Sequence, residues 1–109
     1  MGIREEIVEE LLLLSLPSEQ LAYEKSLTNA GHAPTELIEV FCQCFDPKSQ
    51  EFVSAFTRDE HRDLAHIYGL IVEASGANHS TVADMLKDPI WRRVVALAKE
   101  LRTRFDSSV

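Results

Sequence analysis

The sequence predicts an all-α fold, and three observations predict it. Every long segment carries apolar residues at a period near 3.6, and no segment alternates convincingly at period two. The clearest local signals, a capping box and an Asp-Pro step, are both helix starts. The expected architecture is one domain spanning 1–109, a compact helical bundle or orthogonal array of four longer helices plus short ones. A chain of 109 residues falls within the usual domain size and can bury one core without staples.

The first helix is expected from Ile3 to about Leu14, with Ile3, Ile7, Leu11 and Leu14 on one stripe and Val8 and Leu12 beside it. Pro17 stops it, because proline disfavours helix at the preceding residue. Ser18 is the candidate N-cap of a second helix, Glu19 to about Asn29, with Leu21, Ala22 and Leu27 available for packing. Asn29-Ala30-Gly31 would close that helix, and Pro34 suits the first turn of a third that runs to about Cys44. Leu37, Ile38, Phe41 and Phe45 give the third helix a broad apolar face, and Phe52, Val53 and Phe56 belong to a short helix after Asp46-Pro47.

Thr57-Arg58-Asp59-Glu60 is the capping box, in which threonine accepts from a backbone N–H and Glu60 reaches back to the cap residue. The helix it opens should end at Ser75-Gly76, burying Leu64, Ile67, Tyr68, Ile71 and Val72. Gly69 interrupts its middle at a cost of about 1 kcal/mol relative to alanine, which predicts a close approach there by another helix or a partner. Thr81 to Lys87 reads as a short helix with Val82, Met85 and Leu86 inward. Asp88-Pro89 starts the last helix, which carries Trp91, Val94, Val95, Ala98, Leu101 and Phe105 along one face.

The net charge is −7, from 18 acidic and 11 basic residues. An acidic surface repels the phosphate backbone, so nucleic acid is a disfavoured partner. The charge is uneven. The first 45 residues hold eight glutamates against only Arg4 and Lys25, whereas Arg92, Arg93, Lys99, Arg102 and Arg104 crowd the last helix. The simplest expectation is that these two ends neutralise each other within the fold. Cys42 and Cys44, the only cysteines, point roughly 200° apart on a helix, which disfavours a disulfide between them. Reduced thiols, no basic leader and no apolar run of membrane-spanning length place the chain in the cytoplasm, away from the membrane.

No catalytic constellation emerges, and the expectation is a non-enzymatic protein with no cofactor and no metal. Asp59, Arg62, Asp63, His66 and Glu73 share one side of the capped helix, and Asp63-x-x-His66 has the spacing of bundle metal ligands. A second such pair is missing, so a solvated, salt-bridged face is the expected role. His32, His61 and His79 are each alone, the last in a polar turn where an imidazole is usually exposed. The cysteines read as small buried hydrophobes, and there is no phosphate loop, H-E-x-x-H or G-x-S-x-G.

An interaction module ranks first on these grounds. In size and charge alone, a small acidic helical domain resembles bacterial immunity proteins that block basic toxin nucleases, which implies a basic protein partner reached by electrostatic steering. The candidate surface is Glu5, Glu6, Glu9 and Glu10 together with Asp59, Asp63 and Glu73. The alternative is a homo-oligomeric structural or regulatory protein. Its homodimer would be sealed through the Leu11–Leu16 region, where Leu11, Leu12, Leu13, Leu14 and Leu16 exceed the needs of one amphipathic stripe.

Overall fold

Among the described residues four long helices alternate with three short ones, and each short helix lies in one of the connections. The computed structural model describes residues 2–26 and 32–107, with side chains up to Phe105. The long helices are α1 (Ile3–Ser15), α3 (Ala33–Cys44), α5 (Arg58–Ser75) and α7 (Pro89–Ser107). The short ones are α2 (Pro17–Ser26), α4 (Gln50–Ala55) and α6 (Val82–Met85). The described residues contain no strand.

Packing pairs α1 with α7, α7 with α5, α5 with α3, and α3 with α1, so the long helices close a four-membered ring. Arg4 lies over the Phe105 ring and Asp63 pairs with Arg104, which sets the starts of α1 and α5 beside the end of α7. Phe45 stacks on Tyr68, and Thr35 and Ile38 share a cleft with Ala74 and Ser75, so α3 runs against α5. The result is an up-down-up-down bundle. Its interior is filled from the predicted stripes, with Ile7, Leu11, Leu37, Phe41, Leu64, Ile67, Trp91 and Leu101 almost wholly removed from water. Each such side chain contributes roughly 1.5–3 kcal/mol of transfer free energy.

Polar clasps fasten both ends of this apolar interior. At one end the Arg4 guanidinium makes a bidentate bond to the Glu60 carboxylate, at 2.9 and 2.8 Å, and donates to the Ala55 carbonyl at 3.1 Å. Its planar head lies 5.5 and 5.3 Å from the centres of the Phe56 and Phe105 rings, within cation–π range. Glu60 also completes the predicted capping box, accepting from the Thr57 backbone N–H while Thr57 accepts from that of Glu60. One ion pair thus joins α1, α4, α5 and α7. At the other end Gln20 is fully buried. Its amide donates to the carbonyls of Leu13 and Leu14 at 3.2 and 2.9 Å and accepts from the Trp91 indole at 3.0 Å. It satisfies the Leu14 carbonyl and shares the Leu13 carbonyl with the Leu16 N–H, at the helix end where intrahelical donors run out.

Several expectations are corrected. Helix α2 begins at Pro17, not after Ser18, because proline needs no backbone N–H in a first turn. Its inward residue is Gln20, while Leu21 and Ala22 face solvent. Leu27 and Asn29-Ala30-Gly31 lie outside the described residues. In α5 the buried stripe is rotated toward Leu70 and Ala74, leaving Val72 48% exposed. Val53, in the expected short helix α4, is likewise exposed, whereas Val95 and Leu86 are half-buried.

Gly69 sits on the solvent side of α5, where an added Cβ would meet no atom within 4 Å. Crowding inside the domain is therefore not the reason for this glycine. Gly69→Ala is expected to raise stability by about 1 kcal/mol in urea unfolding, and a loss of stability would contradict the open environment.

The Arg4 guanidinium holds the Glu60 carboxyl well below its ordinary 4.5, at about 2. A depressed carboxyl stabilises the fold above its unfolded value and loses that contribution as pH falls. The window here runs from about 4.5 down to about 2. The stake is on the order of 2 kcal/mol once solvent screening of the partly exposed Arg4 is allowed for. NMR titration of the Glu60 side chain should give a midpoint near 2 that moves back toward 4.5 in Arg4→Met. An unmoved midpoint would dissolve the clasp as an electrostatic unit.

Candidate functional site

The outer side of α1 gathers four glutamates that enter no ion pair among the described residues. Ile7, Leu11 and Leu14 point inward, and the 100° step per residue then turns Glu5 and Glu9 outward, with Glu6 and Glu10 on the flank. Glu5, Glu6 and Glu9 are exposed, and Glu10 is half-buried. Burial, and then the charges of Glu9 and Glu6, push the Glu10 carboxyl above its ordinary range. Burial also pushes up the Cys44 thiol, with Glu10 and Glu6 adding to it, which places α3's last cysteine beside the same flank.

Arg4 attracts Glu5, but no ion pair among the described residues reaches this face. Among the described residues the ion pairs join Arg4 to Glu60, Arg62 to Asp59, His79 to Asp88, and Arg104 to both Asp63 and Glu100. None uses a glutamate of α1, so among the described residues no ion pair joins the acidic first helix to the basic last one, although the two pack against each other. Helix α7 turns Arg92, Arg93 and Lys99 to solvent on its own outer side, and its Arg104 is spent on α5 and on its own helix. Glu5/Glu9 and Glu6/Glu10 stand as like charges at i,i+4, each pair costing a few tenths of a kcal/mol.

The remaining predicted residues separate from this group. Asp59 is 86% exposed and only loosely paired with Arg62, at 3.9 Å. Asp63 is turned inward against Arg104 at 2.9 Å, and Glu73 lies exposed near the far end of α5. The acidic surface is therefore the α1 face alone, with Asp63 consumed as a structural partner.

Next to it runs a groove that charge counting does not find. Glu9, Leu12, Leu13, Leu16 and Glu19 line an open depression of about 370 Å³ between α1 and the start of α2. Of the five leucines in the 11–16 run, Leu11 and Leu14 belong to the core, Leu13 and Leu16 are half-buried, and Leu12 is 38% exposed. The surplus of leucines over one stripe was the signal in the sequence that pointed here.

A second depression, a cleft of about 260 Å³, lies among α3, α5 and α6 and is lined in part by His32, Thr35, Glu39, Asn78 and His79. His79 is not the exposed turn residue expected. Its side chain is 16% exposed and its Nε2 lies 2.7 Å from Asp88 Oδ2. Asp88 is held below its ordinary carboxyl range first by the Ile90 backbone N–H and then by His79. His32 Nδ1 meets the Thr35 hydroxyl at 2.7 Å, so hydroxyl and carboxylate are bonded to different imidazoles. No single histidine links a nucleophile to an orienting acid, as a relay requires. Burial raises both cysteine thiols, which keeps them protonated and weakly nucleophilic. Among the described residues no three histidine, cysteine, aspartate or glutamate side chains converge as a metal site, and no helix is long and apolar enough to cross a membrane.

No known protein family, curated protein or solved structure matches this chain. The functional reading therefore rests on the surface chemistry itself.

If the acidic face opposes stability, neutralising it should help the fold. Glu9 lies beyond the first turn in which Glu5 and Glu6 favour the helix dipole, so Glu9→Gln is expected to gain a few tenths of a kcal/mol in urea unfolding and to lower the Glu10 titration midpoint. A destabilised Glu9→Gln would mean that this carboxylate has a favourable partner in the fold.

Proposed function

We propose that this chain is a non-enzymatic protein-interaction module that receives a basic protein partner on the outer face of α1. The observation that carries the reading is the row Glu5, Glu6, Glu9 and Glu10, which enters no ion pair among the described residues and continues past the first turn, where Glu5 and Glu6 favour the helix dipole, to Glu9 and Glu10, which add i,i+4 repulsion. Such a row is useful when the compensating cations arrive from another molecule, where they speed encounter and reject acidic competitors. An immunity-type role, in which a small acidic domain neutralises a basic toxin, is one form of this activity. Its support is size and charge.

The homodimer reading keeps one favourable observation, the exposed Leu12 beside Leu13 and Leu16. Leu11 and Leu14 are already buried in their own chain and are withdrawn from any such seam. A monomeric mass at micromolar concentration would remove this alternative.

The test is capture of partners from the native host by the tagged chain, at low and high salt, beside the charge-reversed variant Glu5→Lys, Glu6→Lys, Glu9→Lys. A basic protein recovered in stoichiometric amount at low salt, reduced at high salt and lost with the variant is the expected result. Identical recoveries by the two chains would remove the acidic face from the interaction.

A further inference from the structure

The groove beside the acidic face has a composition that narrows the partner's chemistry. Its floor is apolar, made by Leu12, Leu13 and Leu16, and carboxylates stand at its margins, Glu9 on α1 and Glu19 on α2. Glu5 lies one turn before Glu9 on the same outer side, and both are exposed. From Glu9 to Leu16 the groove follows α1 for roughly 10 Å, about two turns of a helix laid along it. Helices that dock in apolar grooves do so through side chains at i, i+3 or i+4, and i+7.

We propose that this groove is the seat of a cationic amphipathic helix of the partner, with its apolar stripe on the three leucines and its lysines or arginines on the glutamates. The proposal rests on the reading of α1 as an acidic interaction face and specifies what that face holds. Charge complementarity selects this occupant over a second copy of the chain. In a two-fold dimer each patch meets its own image, so Glu9 and Glu19 would face carboxylates of like charge. A head-to-tail contact would bring the cationic outer side of α7, but between Arg92 and Lys99 its one exposed apolar residue is Ala96, with Val95 and Leu97 half-buried on the two flanks. Alanine is too small to fill a groove floored by three leucines.

Leu12 gives a test in which groove docking and simple charge attraction have opposite signs. Leu12→Asp removes exposed apolar surface but adds a negative charge, so a partner held by charge alone would bind it more tightly. The probes are an 18-residue peptide of lysine and leucine with its leucines on one helical face, a scrambled peptide of the same composition, and a glutamate–leucine peptide of the same pattern. Binding is read by fluorescence anisotropy at low and high salt, with circular dichroism to confirm that each variant is folded.

The patterned lysine peptide should bind about tenfold more tightly than the scrambled one and lose about tenfold with Leu12→Asp, as expected for one leucine's worth of buried surface. Leu12→Gln should weaken binding in the same direction without the added charge. Equal binding of the two lysine peptides, or tighter binding by Leu12→Asp, would overturn the groove while leaving the acidic face as a charge-only surface. Equal binding of the glutamate peptide would overturn both. Sedimentation equilibrium showing a dimer that Leu12→Asp dissolves would give the groove to a second copy and overturn the proposal.

Discussion

The bidentate bond between Arg4 and Glu60 is the constraint on which much of this bundle depends. A guanidinium brought this close to aromatic rings and a capping carboxylate must be matched, since breaking a partly buried pair strands the partner's charge. Because Arg4 also donates to the end of α4 and lies against Phe56 and Phe105, its position determines where α1 begins relative to three other helices. Glu60 is oriented independently by Thr57, so the acid is held ready for the base. Gln20 plays the matching part at the opposite end, with α1 carbonyls and the Trp91 indole as its partners. Between the two clasps the interior is entirely apolar stripes, which supply the driving force but tolerate sliding. The polar ends define the register.

What was legible in the sequence follows from how local each cause is. Thr57 and Glu60 are three residues apart, so the capping box and the helix it opens could be read directly. The same holds for Pro34 at the start of α3, and for the stripe of Trp91, Val94, Ala98, Leu101 and Phe105 in α7. The second helix was expected, but its inward face defeated this approach because among its described residues it has no apolar stripe and only Tyr23 packs against the core. It is fastened by Gln20 and by Glu24, which accepts from the Val82 backbone N–H across 58 positions, and hydrophobic periodicity is blind to such anchors. Gly69 misled for the opposite reason. A glycine inside a helix suggests a neighbour, yet the neighbour side of α5 is formed by Leu64, Ile67, Leu70 and Ile71, and Gly69 faces away from it.

The candidate site shows the same division. The row of glutamates on α1 was plain from composition, as was the excess of leucines behind it. Which acids would stay free was not, because that depends on which cations reach them. Asp63 looked equivalent to its neighbours along α5 until Arg104 arrived from a helix 41 positions later. Arg4 stands within the acidic segment itself and yet turns to Glu60. The face is acidic because the chain's cations are engaged or directed elsewhere. The division is spatial: the apolar burial and the polar clasps lie in the interior and at the two ends of the bundle, and the outer side of α1 takes part in no ion pair among the described residues.

Closure of the ring by α7 also has a consequence for synthesis. Arg4 and Phe105 meet across almost the whole chain, and α1 finds its main packing surface only on α7. With translation proceeding at about 5–20 residues per second, the leucine-rich face of α1 spends on the order of ten seconds outside the ribosome before its cover exists. During that interval the leucines have beside them a row of like charges, which opposes contact between one exposed apolar segment and another of the same kind.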